Sequence, residues 1–297
     1  MKVSFIGVGR LGGALALALS KKGYEIETLV ARNPEKAHSI AEKISPKPKV
    51  LLPEKFDKLS SSEIIFITTQ DSFISSIANS LSSALRSSPV VFHCSGSLTS
   101  EESLRILRKN GCSIGSIHPL VSISDPFLGV DRFKDSFFCI EGDEVAVEIA
   151  RKIVIDLEGK PFSIPTDCKA LYHASAVMSA GHLLTVFDIA LQMLSACGIE
   201  KAKAHKILLP LAKSVIENLE SQAPEKALTG TFARADSETL EKHIKALKEK
   251  KLDKVLEIYL KLGAFSLTLA ESQNPDLKTQ IGKMHRIVSD ALSSRIE

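Results

Sequence analysis

Short apolar runs alternate with helical patterns through the first half of the chain. Runs such as Lys2 to Gly7 and Glu63 to Thr68 have the length and β-branched content of buried strands. Strands that alternate with helices at this spacing predict a doubly wound, mostly parallel sheet. Further strands are predicted over Tyr24 to Ala31, Pro89 to His93, Cys112 to Ile117, Phe137 to Glu141 and Pro161 to Ile164. The predicted helices between them are Leu11 to Ser20, Pro34 to Lys43, Phe73 to Leu85, Glu101 to Asn110 and Val145 to Leu157.

The pattern changes near Ile164 to Asp167. From there to the C-terminus the periodicity is helical, and strand patterns are almost absent. We therefore predict an α/β domain over residues 1–165 and an all-α domain over residues 166–297. The predicted helices of the second domain are Cys168 to Cys197, Glu200 to Ala223, Ser237 to Lys250 and Leu252 to Ser272, with another near the C-terminus.

A glycine motif lies where the first strand meets the first helix. Gly7-Val8-Gly9-Arg10-Leu11-Gly12 has the GxGxxG spacing of Rossmann dinucleotide-binding domains. Gly7 permits the tight turn, Gly9 lets backbone approach a pyrophosphate, and Gly12 lets helix and strand pack closely. The helix N-terminus then offers N–H groups and a positive dipole end to the anion. The alternative is a glycine-rich turn without a ligand.

The residues after the second strand bear on which dinucleotide is bound. NAD sites usually carry an acid there, whereas this chain has Ala31-Arg32-Asn33. An arginine can pair with a 2′-phosphate and stack on adenine, which favours NADP(H) over a surface role for Arg32. Ligands of parallel sheets bind beyond the carboxyl ends of the strands, so the following residues are also predicted to contact the cofactor: Thr69, Gln70, Ser95 and Gly96. For Asp71 we expect ordinary turn or N-cap chemistry.

Composition and charge exclude several classes of function. The chain is 44% hydrophobic, and its net charge of +3 comes from interspersed charges without a basic block, so we predict no nucleic-acid partner. Five scattered cysteines, none spaced as CxxC, indicate reduced thiols in a cytoplasmic protein, and we predict no metal site. No signal-peptide pattern is present. We expect no membrane partner, because polar residues interrupt the best apolar run, Ala174 to Cys197.

Two residues at helical spacing are candidate proton donors. Lys169 and His173 are four residues apart near the start of the second domain, so they share one helix face beside the domain junction. Hydride reduction of a carbonyl needs a proton donor and positive charge at the developing alkoxide, and either residue can donate the proton. The alternatives are a solvated lysine and a buried structural histidine.

Two further segments are candidates for substrate binding. His118 precedes Pro119 at the end of a predicted strand, where it either faces the substrate or caps the strand end. The turn from Thr229 to Arg234 combines hydroxyls, backbone N–H groups and an arginine, which suits a carboxylate. Within it we predict Thr229, Thr231 and Arg234 as ligands. The alternative is a helix-linking turn with Asp236 or Ser237 as N-cap.

Six segments together carry a resemblance that covers nearly the whole chain. They are Gly7 to Gly13, Arg32 to Pro34, His93 to Gly96, Ser116 to Leu120, Lys169 to His173 and Leu228 to Asp236. The set resembles a family of Rossmann-like proteins with a helical C-terminal domain. That family is similar to pyrroline-5-carboxylate reductase, ketopantoate reductase and the F420-dependent NADP oxidoreductases.

The resemblance implies an NADPH-dependent reductase of a small 2-oxo or imino carboxylate. Ketopantoate is the leading candidate, because ketopantoate reductase has a Lys-x-x-x-Asn helix whose lysine is the acid; here His173 replaces the asparagine. Pyrroline-5-carboxylate is next. The resemblance also implies a homodimer formed through the helical domain, with the Thr229 to Arg234 loop acting in cis or in trans. A sensor or assembly protein that binds NADP(H) without turnover, and a deazaflavin partner, are the alternatives.

Overall fold

The computed structural model describes residues 1–53, 55–59 and 61–294. Backbone contacts divide the chain into two compact units, Met1–Gly181 and His182–Glu297. The N-terminal unit contains the sheet and the C-terminal unit is helical, which confirms the predicted fold class.

An eight-stranded sheet forms the centre of the N-terminal unit. Its spatial order is β3-β2-β1-β4-β5-β6-β7-β8, and all neighbouring strands are parallel except the antiparallel pair β6 and β7. The crossovers reverse direction at β1 and β4, which is where parallel sheets open a crevice for ligands. The strands are Lys2–Ile6 (β1), Glu25–Val30 (β2), Lys49–Leu51 (β3), Ile64–Ile67 (β4), Val90–His93 (β5), Ile114–Pro119 (β6), Phe137–Gly142 (β7) and Lys160–Phe162 (β8).

Apolar cores cover both faces of this sheet. On one face the stacked rings of Phe5, Phe66 and Phe92 join three neighbouring strands. The central strand β4 is buried at every position, as expected of a parallel strand covered on both sides. The helices of this unit are Arg10–Lys21 (α1), Pro34–Ala41 (α2), Asp71–Ala84 (α3), Ser100–Leu104 (α4), Glu144–Asp156 (α5) and Lys169–Val177 (α6).

The C-terminal unit has its own apolar core. Leu240, Leu256, Leu260 and Met284 are fully buried in it. Its helices are Leu183–Ala196 (α7), Lys201–Ser221 (α8), Pro224–Ala227 (α9), Gly230–Ala233 (α10), Ser237–Glu249 (α11), Asp253–Gln273 (α12) and Lys278–Ser293 (α13). The separate core explains why this half of the sequence has its own helical periodicity.

Two predicted helices differ from the observed ones. The predicted helix Glu101 to Asn110 is α4 followed by a 3₁₀ segment, Arg105–Asn110, which ends at Gly111 with a positive φ of 74°. The predicted helix Cys168 to Cys197 is two α-helices joined by a π-helical turn, Met178–His182. The contact boundary falls within this turn, between Gly181 and His182, rather than at residue 165, because side chains of α6 bond to strands of the sheet.

One stretch has membrane-spanning length. Thr166–Ala196 is a continuous helical stretch of 31 residues whose most apolar 18-residue window has a mean hydropathy of 1.5, so it is long and apolar enough to cross a membrane by these two criteria alone. The expectation that polar residues prevent such a run was therefore wrong. Only 6% of its most apolar window is buried, so its apolar side chains are largely exposed.

Candidate functional site

The turn from β1 to α1 has the shape that the glycine motif predicted. Gly7 has φ +98°, and a Cβ there would lie 2.7 Å from Thr69 Cγ2. A Cβ on Gly12 would overlap the Thr68 hydroxyl and the Gly7 carbonyl, so helix and strand pack too closely for alanine. Around Gly9 the opposite holds, because nothing lies within 4 Å of its Cβ position. Gly9 is also the N-cap of α1, and it has no side chain that could bond to the first N–H groups of the helix.

A cavity of about 450 Å³ opens at this turn. It lies at the carboxyl ends of β1, β2 and β4, where a parallel sheet binds its ligand. Its size and its glycine-lined floor fit part of a dinucleotide. The lining residues are Ile6, Gly7, Val8, Gly9, Val30, Ala31, Arg32, Asn33, Lys36, Pro53, Phe56, Thr68, Thr69, Gln70, Phe73 and Ile77.

The far wall of this cavity is positively charged. Arg32 lies over the ring of Phe73, 5.2 Å from its centroid, and Lys36 lines the same wall. Asn33 accepts a hydrogen bond from the Lys36 backbone N–H at 3.2 Å and so begins α2. The described residues of the lining carry no acid, which fits a 2′-phosphate rather than the free ribose hydroxyls of NAD. Sequence reasoning missed Lys36 and Phe73, although Lys36 is four residues after Arg32.

The predicted cofactor residues divide into two groups. Gly7, Gly9, Arg32, Asn33, Thr69 and Gln70 line the cavity, whereas Arg10, Leu11, Gly12, Ser95 and Gly96 are not among its lining residues. Arg10 is exposed at the first position of α1, and Leu11 packs against the core. Gly12 contributes indirectly, because its lack of a side chain allows α1 to approach Thr68, which lines the cavity.

A second turn, residues 94–98 after β5, lies beside the cavity; we call it the Gly96 turn. Asp71 accepts hydrogen bonds from the hydroxyls of Ser95 and Ser97 at 2.7 and 2.9 Å. Because Asp71 directly follows the cavity residue Gln70, these bonds join the two features. The expected N-cap role of Asp71 was wrong: Gln70 occupies the N-cap, and the Asp71 carboxylate orders the Gly96 turn instead.

Two histidines meet at the Gly96 turn. A Cβ on Gly96 would lie 2.6 Å from His173 Cδ2 and 2.8 Å from His118 Nε2, so any larger residue would displace an imidazole. The two imidazole rings are edge to face, with centroids 5.7 Å apart. Both side chains are partly exposed. Burial, then the nearby His173 and Lys169, lowers the pKa of His118 to about 4, so His118 is neutral at pH 7.

Lys169 lies on the same helix as His173 but points into the protein. Its side chain is 1% exposed, and Nζ donates to Ser116 Oγ at 2.6 Å and Glu141 Oε1 at 3.0 Å. Glu141 also accepts from the backbone N–H and hydroxyl of Ser100. Burial raises the pKa of Glu141, but Lys169 and these hydrogen bonds outweigh it and hold that pKa below its usual value.

Three residues of this region were given no site role from the sequence, although His93 and Tyr172 lie in segments that carry the resemblance. Glu141 pairs with Lys169, Tyr172 donates to or accepts from His118, and His93 is fully buried beside the Gly96 turn. Burial, then Lys169, lowers the pKa of His93 to about 4. His93 ends β5, Glu141 lies in β7 and Tyr172 in α6, and no spacing in the sequence connects three elements so far apart in the chain.

The predicted carboxylate-binding loop forms part of the C-terminal unit. Gly230–Ala233 is a short helix that begins after Thr229, and Arg234 at its end is exposed. Asp236 caps α11 by accepting from the Thr239 N–H at 3.0 Å. The capping alternative therefore holds for Asp236, whereas a ligand role for Thr229, Thr231 and Arg234 stays a prediction. Among the described residues, no cluster of three His, Cys, Asp or Glu side chains could hold a metal.

Comparison with protein families agrees with this division of the chain. Residues 2–93 match the family "NADP oxidoreductase coenzyme F420-dependent", and residues 136–265 match the "Domain of unknown function (DUF2520)". The chain joins these two domains. The predicted resemblance, the NADP(H) cofactor and the class of NADP-dependent oxidoreductase are confirmed by these matches. No curated protein sequence is similar enough to count as a relative.

Solved structures share this two-part fold. A Thermotoga maritima protein is 27% identical, with a TM-score of 0.69, 92% of this chain and 99% of that chain covered. An imine reductase from a Pseudomonas species is 17% identical, with a TM-score of 0.61 and coverages of 91% and 97%. A Plasmodium falciparum pyrroline carboxylate reductase with NADP bound is 11% identical, with a TM-score of 0.55 and coverages of 94% and 98%.

Proposed function

We propose that this NADP-dependent oxidoreductase reduces the C=N or C=O bond of a small imino or 2-oxo carboxylate. The observation that carries the proposal is the pair His118 and His173 at the Gly96 turn. Asp71, the neighbour of the cavity residue Gln70, hydrogen-bonds to this turn and so connects it to the cofactor cavity. The cavity supplies a place for NADPH, and the histidines supply proton chemistry next to it.

The cofactor is held by residues with distinct roles. The Gly7 to Gly12 turn and the N-terminus of α1 bind the diphosphate, and Arg32 with Lys36 binds the 2′-phosphate. When bound, NADPH provides the hydride. Thr69 and Gln70 orient the cofactor from the carboxyl end of β4. The Gly96 turn lies next to them, at the carboxyl end of the neighbouring strand β5.

We propose His173 as the proton donor of the two predicted candidates. It is partly exposed beside Gly96, whereas Nζ of Lys169 is buried and already donates to Ser116 and Glu141. During reduction the substrate carbon takes a hydride and the heteroatom takes the proton from His173. Lys169 then does not contact the substrate. It contributes a buried positive charge near the site, and its ion pair with Glu141 fixes the position of that charge.

Burial of Lys169 also changes the order of the candidate substrates. The case for ketopantoate depended on a lysine that could donate a proton to the substrate. Without that donor we place a cyclic imino carboxylate such as pyrroline-5-carboxylate first and ketopantoate second. An imine nitrogen is more basic than a carbonyl oxygen and needs less from an acid. Pyrroline carboxylate reductase and imine reductase are among the structural neighbours. We retain Thr229, Thr231 and Arg234 as proposed carboxylate ligands, acting in cis or in trans.

The test is NADPH consumption with pyrroline-5-carboxylate, ketopantoate and a panel of other imines and 2-oxo acids. We expect His173→Asn to lower kcat about a hundredfold while leaving the Kd of NADPH unchanged. His285→Asn, in α13, is the control and should match the wild type. Binding of NADPH without consumption of any of these substrates would contradict the proposal and favour a cofactor-binding sensor.

We further propose that the protein is a homodimer. Large apolar side chains are exposed along α7 and α8, a larger set than isolated surface leucines account for. A second copy covering this face would also explain why an apolar helix of membrane-spanning length is so exposed. The residues of this face are Leu183, Leu184, Val186, Ile207, Leu211, Val215, Ile216 and Leu219.

A further inference from the structure

The hydroxyl of Tyr172 lies 2.7 Å from Nδ1 of His118. Tyr172 is on α6, between Lys169 and His173, and its ring contacts His118 edge to face. The same ring also packs edge to face against Phe162. Contacts with both rings hold Tyr172 in place. Its hydroxyl contacts Nδ1 of His118, whereas Nε2 of His118 is the nitrogen that faces Gly96.

We propose that Tyr172 is a positioning residue: its hydroxyl donates to Nδ1 of His118 and so keeps the neutral imidazole in the tautomer that carries its proton on Nε2. A neutral imidazole has one donor and one acceptor nitrogen, so fixing Nδ1 as the acceptor makes Nε2 the donor. Nε2 is the atom 2.8 Å from the Cβ position of Gly96. His118 thus presents an N–H group at the Gly96 turn.

The protonation states of Tyr172 and Cys139 favour donation from the Tyr172 hydroxyl to Nδ1 of His118. Burial, then Cys139, raises the pKa of Tyr172, and burial raises the pKa of the Cys139 thiol, so both keep their protons at pH 7. The thiol can donate to the tyrosine oxygen while the tyrosine donates to His118. In the other tautomer the tyrosine proton would have only the sulfur, a weak acceptor.

The inference rests on the proposed reductase function for its consequence. At the Gly96 turn, the N–H of His118 can hydrogen-bond the substrate heteroatom beside His173. The two histidines then have different roles, because His118 orients and polarises the heteroatom and His173 gives it a proton. A hydrogen bond of ordinary strength to Nδ1 corresponds to a threefold to tenfold change in rate, roughly.

The experiment is nitrogen NMR of protein labelled with ¹⁵N-histidine, with His118→Gln identifying the His118 signals. In the wild type we expect the Nε2–H pattern for His118. In Tyr172→Phe we expect a mixture of tautomers, with kcat lower by roughly threefold to tenfold and the KM for NADPH unchanged. Tyr259→Phe is the matched control, because Tyr259 makes the same 2.7 Å contact with His243 Nδ1. It should change the His243 signals only.

An Nδ1–H pattern for His118 in the wild type would overturn the proposal, even if Tyr172→Phe failed to fold. An unchanged His118 pattern in folded Tyr172→Phe would overturn it as well. The NMR measurement needs no substrate, so it reports the tautomer of His118 even if the protein reduces none of the proposed substrates. Conversely, an active reductase with the wrong tautomer refutes this inference alone.

Discussion

Two cations that the sequence marks as functional, Arg32 and Lys169, differ in their surroundings. Arg32 is exposed on the wall of a cavity, where its guanidinium stacks over Phe73 and is free to meet an anion. Lys169 is 1% exposed, and its partner Glu141 is nearly as buried. At the scale of single residues, therefore, burial and ion pairing distinguish a cation that an anion can reach from one already paired with a carboxylate.

Removing the cations of the cavity wall should change cofactor preference. We expect Arg32→Ala to raise the Kd of NADPH roughly tenfold to a hundredfold, because a charge-assisted hydrogen bond to phosphate is lost. Lys36→Ala should have a smaller effect in the same direction, and the Kd of NADH should not change in either variant. Fluorescence titration measures both. Lys43→Ala, an exposed lysine beyond α2, is the control. Equal losses for NADPH and NADH would contradict the assignment.

Removing the buried cation should cost stability in a pH-dependent way. Lys169→Met leaves the Glu141 carboxylate buried and unpaired, so we expect the free energy of unfolding at pH 7 to fall by about 3–5 kcal/mol. In the wild type the lowered pKa of Glu141 adds stability above its unfolded pKa, which is lost as the pH falls. In the variant, burial raises that pKa, so the deficit should shrink towards pH 4.5.

Urea denaturation at pH 7 and pH 4.5 measures this difference. The double variant Lys169→Met with Glu141→Gln removes both charges and should recover part of the loss at pH 7. A deficit that is the same at both pH values would show that Lys169 contributes packing rather than charge.

At the scale of elements, the turn between β1 and α1 gives its three glycines different roles. Gly7 is needed for backbone conformation, Gly12 for the approach of α1 to β4, and Gly9 for space beyond the helix N-terminus. The spacing of the motif predicts these three roles, and the surroundings of each glycine in the structure agree with them. Their surroundings distinguish a glycine that serves folding from one that serves ligand binding.

Alanine at two of these positions should separate folding from binding. Gly12→Ala should lower the free energy of unfolding by about 3 kcal/mol, because its Cβ meets Thr68 and a backbone carbonyl. Gly9→Ala should cost at most about 1 kcal/mol, as a weaker N-cap, yet raise the Kd of NADPH by about tenfold or more. Thermal unfolding and titration of both variants test the pair. The reverse order of effects would place the diphosphate elsewhere.

At the scale of the whole molecule, a second copy is the partner that we propose for the exposed apolar face on α7 and α8. We expect the wild type to sediment at twice its chain mass of 32.2 kDa. Leu184→Asp combined with Leu211→Asp should yield a monomer, because both side chains are more than 60% exposed in the single chain. Leu128→Asp, an equally exposed leucine of the N-terminal unit, is the control. A wild-type monomer that binds lipid vesicles would instead favour a membrane as the partner.

The sequence by itself determined the fold class, the dinucleotide turn and the cofactor. Periodicity and glycine spacing are local, and they act within one strand, one turn or one helix, so they can be read in order along the chain. The preference for NADP(H) followed in the same way, from Arg32 at the end of β2.

Only the tertiary structure decided the state of the groups in the candidate catalytic site. Lys169 and His173 share a helix, and nothing in their spacing shows that one meets Glu141 and the other Gly96. These contacts join residues from β5, β6, β7 and α6, which are far apart in sequence. Burial and ion pairing across such distances set pKa values and tautomers, and they exist only once the sheet has brought those strands together.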